Sequence, residues 1–305
     1  MVGHFGLKLR MALAGSILFA FYAAIAVVAF AVWGQGVLPL VLLVSLLFVG
    51  FQYKFGKWAA LKSVGAEDMP EEGEYRRIHQ KVEELSREMD IEKPRLMVAE
   101  MGVPNAFAVG RKGNGTVVVS EEIVSLLDRE ELDGVLAHEL AHIRNRDVVV
   151  MVIGQSIASM IGILVQFAVI FGGERNIGAY IFGMIAGQIA QMIVMIFVMA
   201  ISRYREYVAD EDAADVTGNP AAMARALEKI SNGAERAREE NQAAAQAGLQ
   251  GGRRRGRSQR EQGVGLDRDK TVGALCINNS SRGLLQTVFA THPPIEKRIE
   301  RLRSA

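Results

Sequence analysis

Long apolar segments without a single charge constrain this chain more than any other feature. There are four, in two pairs, at residues 11–33, 36–51, 148–171 and 177–200. A helix of roughly 20 apolar residues, rising about 1.5 Å per residue, crosses the hydrocarbon core of a bilayer. Two buried helices of a soluble domain are the alternative for the second pair, but length and lack of charge favour the bilayer. We therefore expect transmembrane hairpins within residues 1–62 and 148–200.

The first apolar segment raises the separate question of a cleaved signal peptide. Residues 11–33 are longer than the apolar region of a signal peptide, and no convincing small-residue cleavage site precedes the second segment. A retained transmembrane hairpin is the favoured interpretation.

Basic residues flanking these segments predict their orientation. They cluster at the outer ends of the two hairpins: Lys8, Arg10, Lys54, Lys57, Lys62, Arg144, Arg146, Arg203 and Arg205. The two hairpin turns carry Arg175 as their single basic residue. Because Lys and Arg concentrate on the cytoplasmic side of membranes, both termini and the region between the hairpins should be cytoplasmic. The predicted location is the cell membrane, with multiple passes.

The polar regions, residues 63–147 and 201–305, predict one cytoplasmic α+β domain interrupted by the second hairpin. An amphipathic pattern predicts a helix over residues 70–90, and strand patterns cover residues 95–99, 105–109 and 116–120. Ser120 is a predicted N-cap, and a further helix should begin near Glu130. Later helices should run to about Val216 and begin again at Pro220.

Residues 234–270 have a different composition, rich in Glu, Gln, Ala, Gly and Arg, with no apolar period. We interpret them as a flexible loop. For the basic run at residues 251–257 a solvated linker is the favoured interpretation, and contact with anionic lipid head groups is the alternative. The formal net charge of +1 argues against a general nucleic-acid binder, and the single cysteine, Cys276, excludes an intrachain disulfide.

The sequence HELAH at residues 138–142 carries the strongest chemical signal. His138 and His142 lie four apart, so a helix places both imidazoles on one face, where they can share one Zn²⁺. Glu139 is offset by one position and could serve as the general base of a metalloprotease. The alternative is a surface helix with two incidental histidines, but Leu140 and Ala141 predict a buried helix.

The third ligand must come from elsewhere, since no histidine follows His142 at a short spacing. The best candidate is Glu206, just after the fourth apolar segment. Asp210, one helical turn later, could accept a hydrogen bond from a ligand imidazole and fix its tautomer. An ordinary acidic helix face is the alternative, and nearby acidic rivals are Glu211, Asp212 and Asp215.

Several motifs, in this order, resemble the HtpX family of membrane zinc proteases, kin to CAAX prenyl endopeptidases and Oma-type proteases. They are PNAFA at 104–108, HELAH followed by Asn145 and Asp147, SRYREYVAD at 202–210, and THPPIEKRI at 291–299. The two pairs of apolar segments also match. The resemblance runs from Met11 to about Leu302, except over residues 234–270.

The resemblance implies a gluzincin-type fold, with helices around a small sheet, in an α-helical membrane protein with a cytoplasmic metalloprotease domain. It implies one Zn²⁺ per chain, held by His138, His142 and Glu206, with Glu139 catalytic. It also implies an edge strand that pairs with an extended substrate backbone. That strand contains Asn105, Ala106, Phe107 and Ala108.

The resemblance gives a role to one residue near the C-terminus as well. His292 matches a position that stabilises the tetrahedral oxyanion, with Arg298 as a further candidate. A cap or turn residue before Pro293 is the alternative for His292.

The predicted function is a membrane-integrated, zinc-dependent endopeptidase acting in stress response and quality control. Its substrates would be polypeptides, chiefly misfolded membrane proteins cut at the cytoplasmic face. One alternative is a CAAX-type prenyl-protein endopeptidase, although those relatives have more membrane spans. Another is a non-catalytic membrane scaffold, against which the intact Glu139 argues. A transporter is disfavoured because the apolar segments carry no charge.

Overall fold

The computed structural model of the chain describes residues 38–172, 176–252 and 292–304, which form eight helices and four strands. The helices are α1 (Leu38–Ser63), α2 (Tyr75–Glu88), α3 (Glu121–Leu126), α4 (Arg129–Arg144), α5 (Asp147–Gly172), α6 (Ile177–Thr217), α7 (Pro220–Gly252) and α8 (Ile295–Arg303). The strands are β1 (Glu67–Asp68), β2 (Arg95–Ala99), β3 (Ala106–Val109) and β4 (Thr116–Ser120).

These described residues divide into two units. The first unit contains residues 38–58, 146–172, 176–208 and 292–293. The second unit contains residues 59–145, 209–252 and 294–304.

The first unit is built from long apolar helices. Within the described residues, Asp147–Ile170 and Ile177–Thr217 are long and apolar enough to cross a membrane. These helices contain the third and fourth predicted spans, while the predicted span 11–33 lies outside the described residues. Large side chains of α6 are exposed, for example Ile177 at 81% and Phe182 at 63%. Exposed apolar surface of this extent favours contact with lipid over contact with water.

Glycines bring α5 and α6 close together in the first unit. A Cβ added at Gly187 would lie 2.5 Å from the carbonyl oxygen of Gly162, so only glycine fits there. Beside this contact, Ala158 and Val194 are buried. Small residues of this kind allow close approach of helix backbones where the hydrophobic effect is absent.

The second unit is built on a four-stranded sheet in the order β1-β2-β4-β3. The strands β3 and β4 form an antiparallel hairpin, with Phe107 opposite Val118, and β2 pairs with β4 in parallel. Strand β1 was not predicted, since two acidic residues carry no strand signal. The sheet order leaves β3 at one edge.

Two apolar clusters cover the two faces of this sheet. The larger cluster joins α2, α4, α7 and α8 to one face, with Leu85, Leu136 and Leu227 fully buried. The smaller cluster contains Phe107 of β3 and Val64, which directly follows α1. Each face is therefore covered, which fits the nearly continuous burial of β4.

Glycines with positive φ set two helix boundaries. Gly73 has a φ of 61°, so α2 begins at Tyr75 and not at the predicted residue 70. Gly218, with a φ of 63°, ends α6 at Thr217.

Two helices are longer than the sequence patterns predicted. Helix α6 joins the fourth apolar segment to the polar segment after residue 200, because no glycine or proline interrupts residues 188–217. Helix α7 continues to Gly252, so the first part of the predicted flexible loop, residues 234–252, is helical. Ala, Glu, Gln and Arg are strong helix formers and need no apolar stripe to propagate a helix. The rest of that predicted loop, residues 253–270, lies outside the described residues.

Candidate metal centre

Helix α4 carries the HELAH sequence and is fixed at its start by a capping box. The side chain of Asp128 caps the first turn, and Glu131 Oε2 accepts a hydrogen bond of 3.0 Å from the Asp128 backbone N–H. The helix is buried over most of its length, and Gly134 allows close approach to Met223 of α7. A buried helix with a fixed start holds its functional side chains in one orientation.

The two histidines of α4 direct the same ring nitrogen toward each other. Nε2 of His138 lies 3.1 Å from Nε2 of His142, and the rings meet edge to face. His138 is 1% exposed, and His142 is partly buried. Two imidazole nitrogens that converge in this way fit a shared cation, because each can offer a lone pair to the same ion.

Glu206 of α6 completes a group that could hold a metal ion. One ligand atom each from His138, His142 and Glu206 lies within 4.8 Å of the others. The Glu206 side chain is buried, with a relative exposure of 4%. Two imidazoles and one carboxylate form the donor set of many catalytic zinc sites, and three protein ligands leave a coordination position open. The residues present therefore fit the zinc ion that the sequence predicts.

Asp210, four residues after Glu206 on α6, connects His138 to α8. Its Oδ1 lies 3.0 Å from Nδ1 of His138. Arg298 donates two hydrogen bonds to the same carboxylate, from Nε at 2.8 Å and from Nη2 at 2.7 Å. A carboxylate at Nδ1 favours the tautomer in which Nδ1 carries the proton and Nε2 offers a lone pair to a metal.

The charge state of Asp210 follows from opposing effects. Burial raises the pKa of this carboxyl group, but the charge and hydrogen bonds of Arg298, with a contribution from His138, outweigh burial and lower the pKa to about 2. Asp210 is therefore ionised at neutral pH. Arg298 is 1% exposed, and its Nη2 also lies 3.4 Å from Nε2 of His138.

His292 contacts the carboxylate of Glu206. Its Nδ1 lies 3.0 Å from Glu206 Oε2, and its side chain is 21% exposed. The imidazole can thus orient the carboxylate of the candidate ligand. This contact is additional to the predicted role of His292 in stabilising an oxyanion.

Glu139, the candidate general base, lies on α4 between the two histidines and is 3% exposed. Of the acidic rivals to Glu206, Asp212 makes other contacts, since it accepts a hydrogen bond of 3.0 Å from Asn145 Nδ2. Arg144 Nη1 lies 3.6 Å from the other oxygen of Asp212. Within the described residues, the metal-binding group contains neither Asp212 nor Glu211.

Asp147 begins α5 and pairs with Arg205 of α6. Nη2 of Arg205 lies 2.7 Å from Asp147 Oδ1, and both side chains are 6% exposed. This buried ion pair ties the start of one apolar helix to the residue directly before Glu206.

The predicted substrate strand packs against the helix that carries the histidines. Strand β3 contains Ala106, Phe107 and Ala108 and contacts α4. Asn105 directly precedes it, is fully buried, and donates its backbone N–H to Ser120 Oγ at 3.0 Å. Ser120 also caps α3, as predicted, by accepting a hydrogen bond from the Ile123 N–H.

Sequence reasoning missed one residue that holds the loop before β3. Glu122 Oε1 accepts a hydrogen bond of 2.5 Å from the Gly102 N–H, and Oε2 accepts one of 3.4 Å from the Met101 N–H. Its position in the first turn of α3 carries no local signal for this contact. Gly102 has a φ of 70°, so the loop turns sharply at the point that Glu122 holds.

Comparisons with known proteins place this chain among metalloproteases. The family model described as Peptidase family M48 matches residues 72–305. A protease HtpX homolog of Halobacterium salinarum is 54% identical over 296 residues, which cover 96% of this chain and 100% of the relative. A protease HtpX homolog of Pyrococcus abyssi is 36% identical over 301 residues, covering 94% and 93% of the two chains.

One solved structure has a similar fold. It is the crystal structure of Ste24p from S. mikatae, with a TM-score of 0.55 and 15% sequence identity. The match covers 97% of this chain and 64% of that chain, so this chain spans less than two thirds of its length.

Proposed function

This chain belongs to peptidase family M48 and is an HtpX-type membrane metalloprotease, and we propose that it cuts misfolded membrane proteins in their cytoplasmic parts. The convergence of His138, His142 and Glu206 on one potential metal position supports metal-dependent hydrolysis. The basic residues at the outer ends of the apolar segments support a cytoplasmic catalytic domain in the cell membrane.

In the proposed site, His138, His142 and Glu206 hold one Zn²⁺. When bound, zinc lowers the pKa of a water molecule and polarises the scissile carbonyl. Asp210 orients His138 through Nδ1, and Arg298 fixes the Asp210 carboxylate with two hydrogen bonds. These contacts hold the imidazole of His138 in the tautomer that binds metal through Nε2.

Glu139 is the proposed general base and general acid. Its carboxylate takes a proton from the attacking water and passes it to the amine of the leaving peptide. Burial of Glu139 suits this role, since a carboxylate removed from bulk solvent keeps the proton for the leaving group. His292, beside Glu206, donates a hydrogen bond to the oxygen that develops negative charge.

Strand β3 supports the assignment of an extended peptide as substrate. It lies at the edge of the sheet and contacts α4, so a peptide added to this edge would run beside the helix that carries His138. Backbone hydrogen bonds to an edge strand bind peptides with little dependence on sequence. Such binding suits an enzyme that acts on unfolded segments of many proteins.

The test compares wild type with Glu139→Gln and Glu130→Gln in detergent, with zinc present throughout. Glu130 is exposed on the same helix, so its variant is a matched control. We expect the control and the wild type to cut casein and an unfolded membrane-protein segment. The Glu139→Gln variant should bind zinc and cut neither.

Three results would redirect the proposal. Equal cleavage by Glu139→Gln would remove this residue from the mechanism. Zinc binding without any cleavage by wild type would favour a scaffold. Cleavage of a prenylated CAAX peptide alone would move the substrate to the prenyl-protein class.

A further inference from the structure

One side of α1 carries a continuous row of exposed side chains. The row follows a spacing of three and four residues, which aligns side chains on one helix face. Its members are Leu43 (54% exposed), Leu47 (64%), Phe51 (63%), Phe55 (52%), Trp58 (54%) and Lys62, which is also exposed. We call this set the α1 stripe.

From Leu47 onward, the order of residues in the α1 stripe follows the polarity of half a bilayer, whose hydrocarbon part is about 15 Å thick. Aliphatic side chains come first, then two phenylalanines, then Trp58 and finally Lys62. Hydrocarbon, aromatic interface and charged head groups succeed one another in the same order. At about 1.5 Å per residue, Leu43 and Trp58 are separated by about 22 Å, and Lys62 lies about 6 Å further on.

The aromatic members of the α1 stripe contact one another. The ring centroids of Phe51 and Phe55 are 5.6 Å apart with an interplanar angle of 13°, and Phe55 and Trp58 are also 5.6 Å apart. Another side of α1 faces protein, because Ser156 of α5 donates a hydrogen bond of 2.6 Å to Gln52 Oε1. The helix thus has a packed side and an exposed apolar side.

The charge of α1 indicates which lipids suit its polar end. Lys54, Lys57 and Lys62 are its charged residues, and the helix contains no Asp or Glu. Lysines at the level of the head groups attract anionic phospholipids. Their long side chains can reach that level while their carbon chains stay along the apolar surface.

We propose that the α1 stripe faces lipid, that the second membrane span ends near Trp58, and that the lysines of α1 bind the head groups of anionic phospholipids. The span then extends beyond residue 51, where the apolar pattern alone predicts its end. The charge of Lys54 does not end the membrane span, because its long side chain can extend from within the span toward the head groups. This proposal is independent of the protease mechanism.

Tryptophan fluorescence in vesicles tests the depth directly. The chain has two tryptophans, Trp33 and Trp58, so Trp33→Phe leaves one reporter. The full chain is reconstituted in lipids brominated near the glycerol end, the middle or the methyl end of the acyl chain. We expect the strongest quenching of Trp58 by bromines near the glycerol end.

A matched control places the reporter deeper in the same row. In the variant Trp33→Phe/Trp58→Phe/Leu47→Trp, the tryptophan lies about 16 Å closer to the bilayer centre. It should be quenched most by bromines near the methyl end. If both reporters show the same depth, the stripe does not cross the bilayer as proposed.

Two other outcomes overturn lipid contact at Trp58. Full quenching by acrylamide in water, with no effect of bromines, places Trp58 in solvent. Protection from both quenchers shows that protein covers the row, for example residues 11–33 or a second copy of the chain.

The proposed binding of anionic lipids by the lysines is tested by comparing two brominated lipids in the same vesicles. Brominated phosphatidylglycerol should quench Trp58 more than brominated phosphatidylcholine at equal mole fraction. In Lys54→Gln/Lys57→Gln, the relative association of the anionic lipid should fall roughly fivefold per lysine. An unchanged preference, or none in the wild type, would refute the role of these lysines.

Discussion

The hydrogen-bonded pair of Asp210 and Arg298 offers the sharpest prediction, because both groups are almost fully buried. Replacing Asp210 with Asn keeps the shape of the side chain but removes the charge that balances Arg298. An unbalanced buried charge costs about 3–5 kcal/mol of unfolding free energy. At roughly 2–4 °C per kcal/mol, the melting temperature should fall by about 6–20 °C.

The double variant Asp210→Asn/Arg298→Met tests whether the loss of stability comes from the interaction between the two side chains. Because it removes both charges, it should lose less stability than the sum of the two single variants. Melting is followed by circular dichroism on the metal-free chain, so that weaker zinc binding does not add to the loss.

The exposed ion pair of Arg95 and Asp68 is the matched control, because it joins the same two side-chain types at the surface. Arg95 lies 2.5 Å from Asp68, slightly closer than the buried pair, but the two side chains are 56% and 67% exposed. Solvent screens this interaction, so Asp68→Asn should leave the melting temperature almost unchanged. The reasoning fails if Asp210→Asn is equally harmless, or if the double variant loses the full sum.

Asp210→Asn should also weaken zinc binding by about 10- to 100-fold, since His138 loses the group that orients it. Competition with a coloured chelator measures this affinity. Unchanged affinity would show that the contact at Nδ1 does not orient the ligand.

Three further predictions concern the loop, the ion pair and the topology. Glu122→Gln should raise KM for peptides several-fold and change kcat less than about twofold, whereas the control Glu121→Gln should change neither. Equal kinetics of the two variants would refute a role of Glu122 in holding the substrate strand. Arg205→Met should destabilise the chain by about 3–5 kcal/mol in chemical unfolding, and Asp147→Asn in the same chain should restore part of the loss. A membrane-impermeant maleimide should label Cys276, the single cysteine, in inside-out vesicles and not in intact cells; the reverse pattern would invert the proposed topology.

The local elements of the second unit were predictable from sequence because their signals are local. Residues 95–99 and 116–120 form strands with the predicted limits. Turn residues precede both segments, and β-branched side chains fill the second of them. The parallel pairing of β2 with β4 has no such signal. It depends on contacts across the sheet that no pattern within either strand encodes.

The candidate site was also predictable from the sequence only in part. The spacing of His138 and His142 predicts a shared metal because four residues make about one helical turn. Glu206 required the family resemblance to stand out from nearby carboxylates. The pairing of Arg298 with Asp210 joins residues 88 positions apart, and their spacing alone gives no information about it.

The ligand set of the metal is the central claim, and X-ray absorption at the zinc edge tests it most directly. For the zinc-loaded wild type, the account predicts two imidazoles and oxygen ligands at about 2.0–2.2 Å. The His142→Ala variant, if it retains zinc, should show one imidazole. Sulfur at about 2.3 Å, or two imidazoles in both proteins, would contradict the assignment of His138, His142 and Glu206.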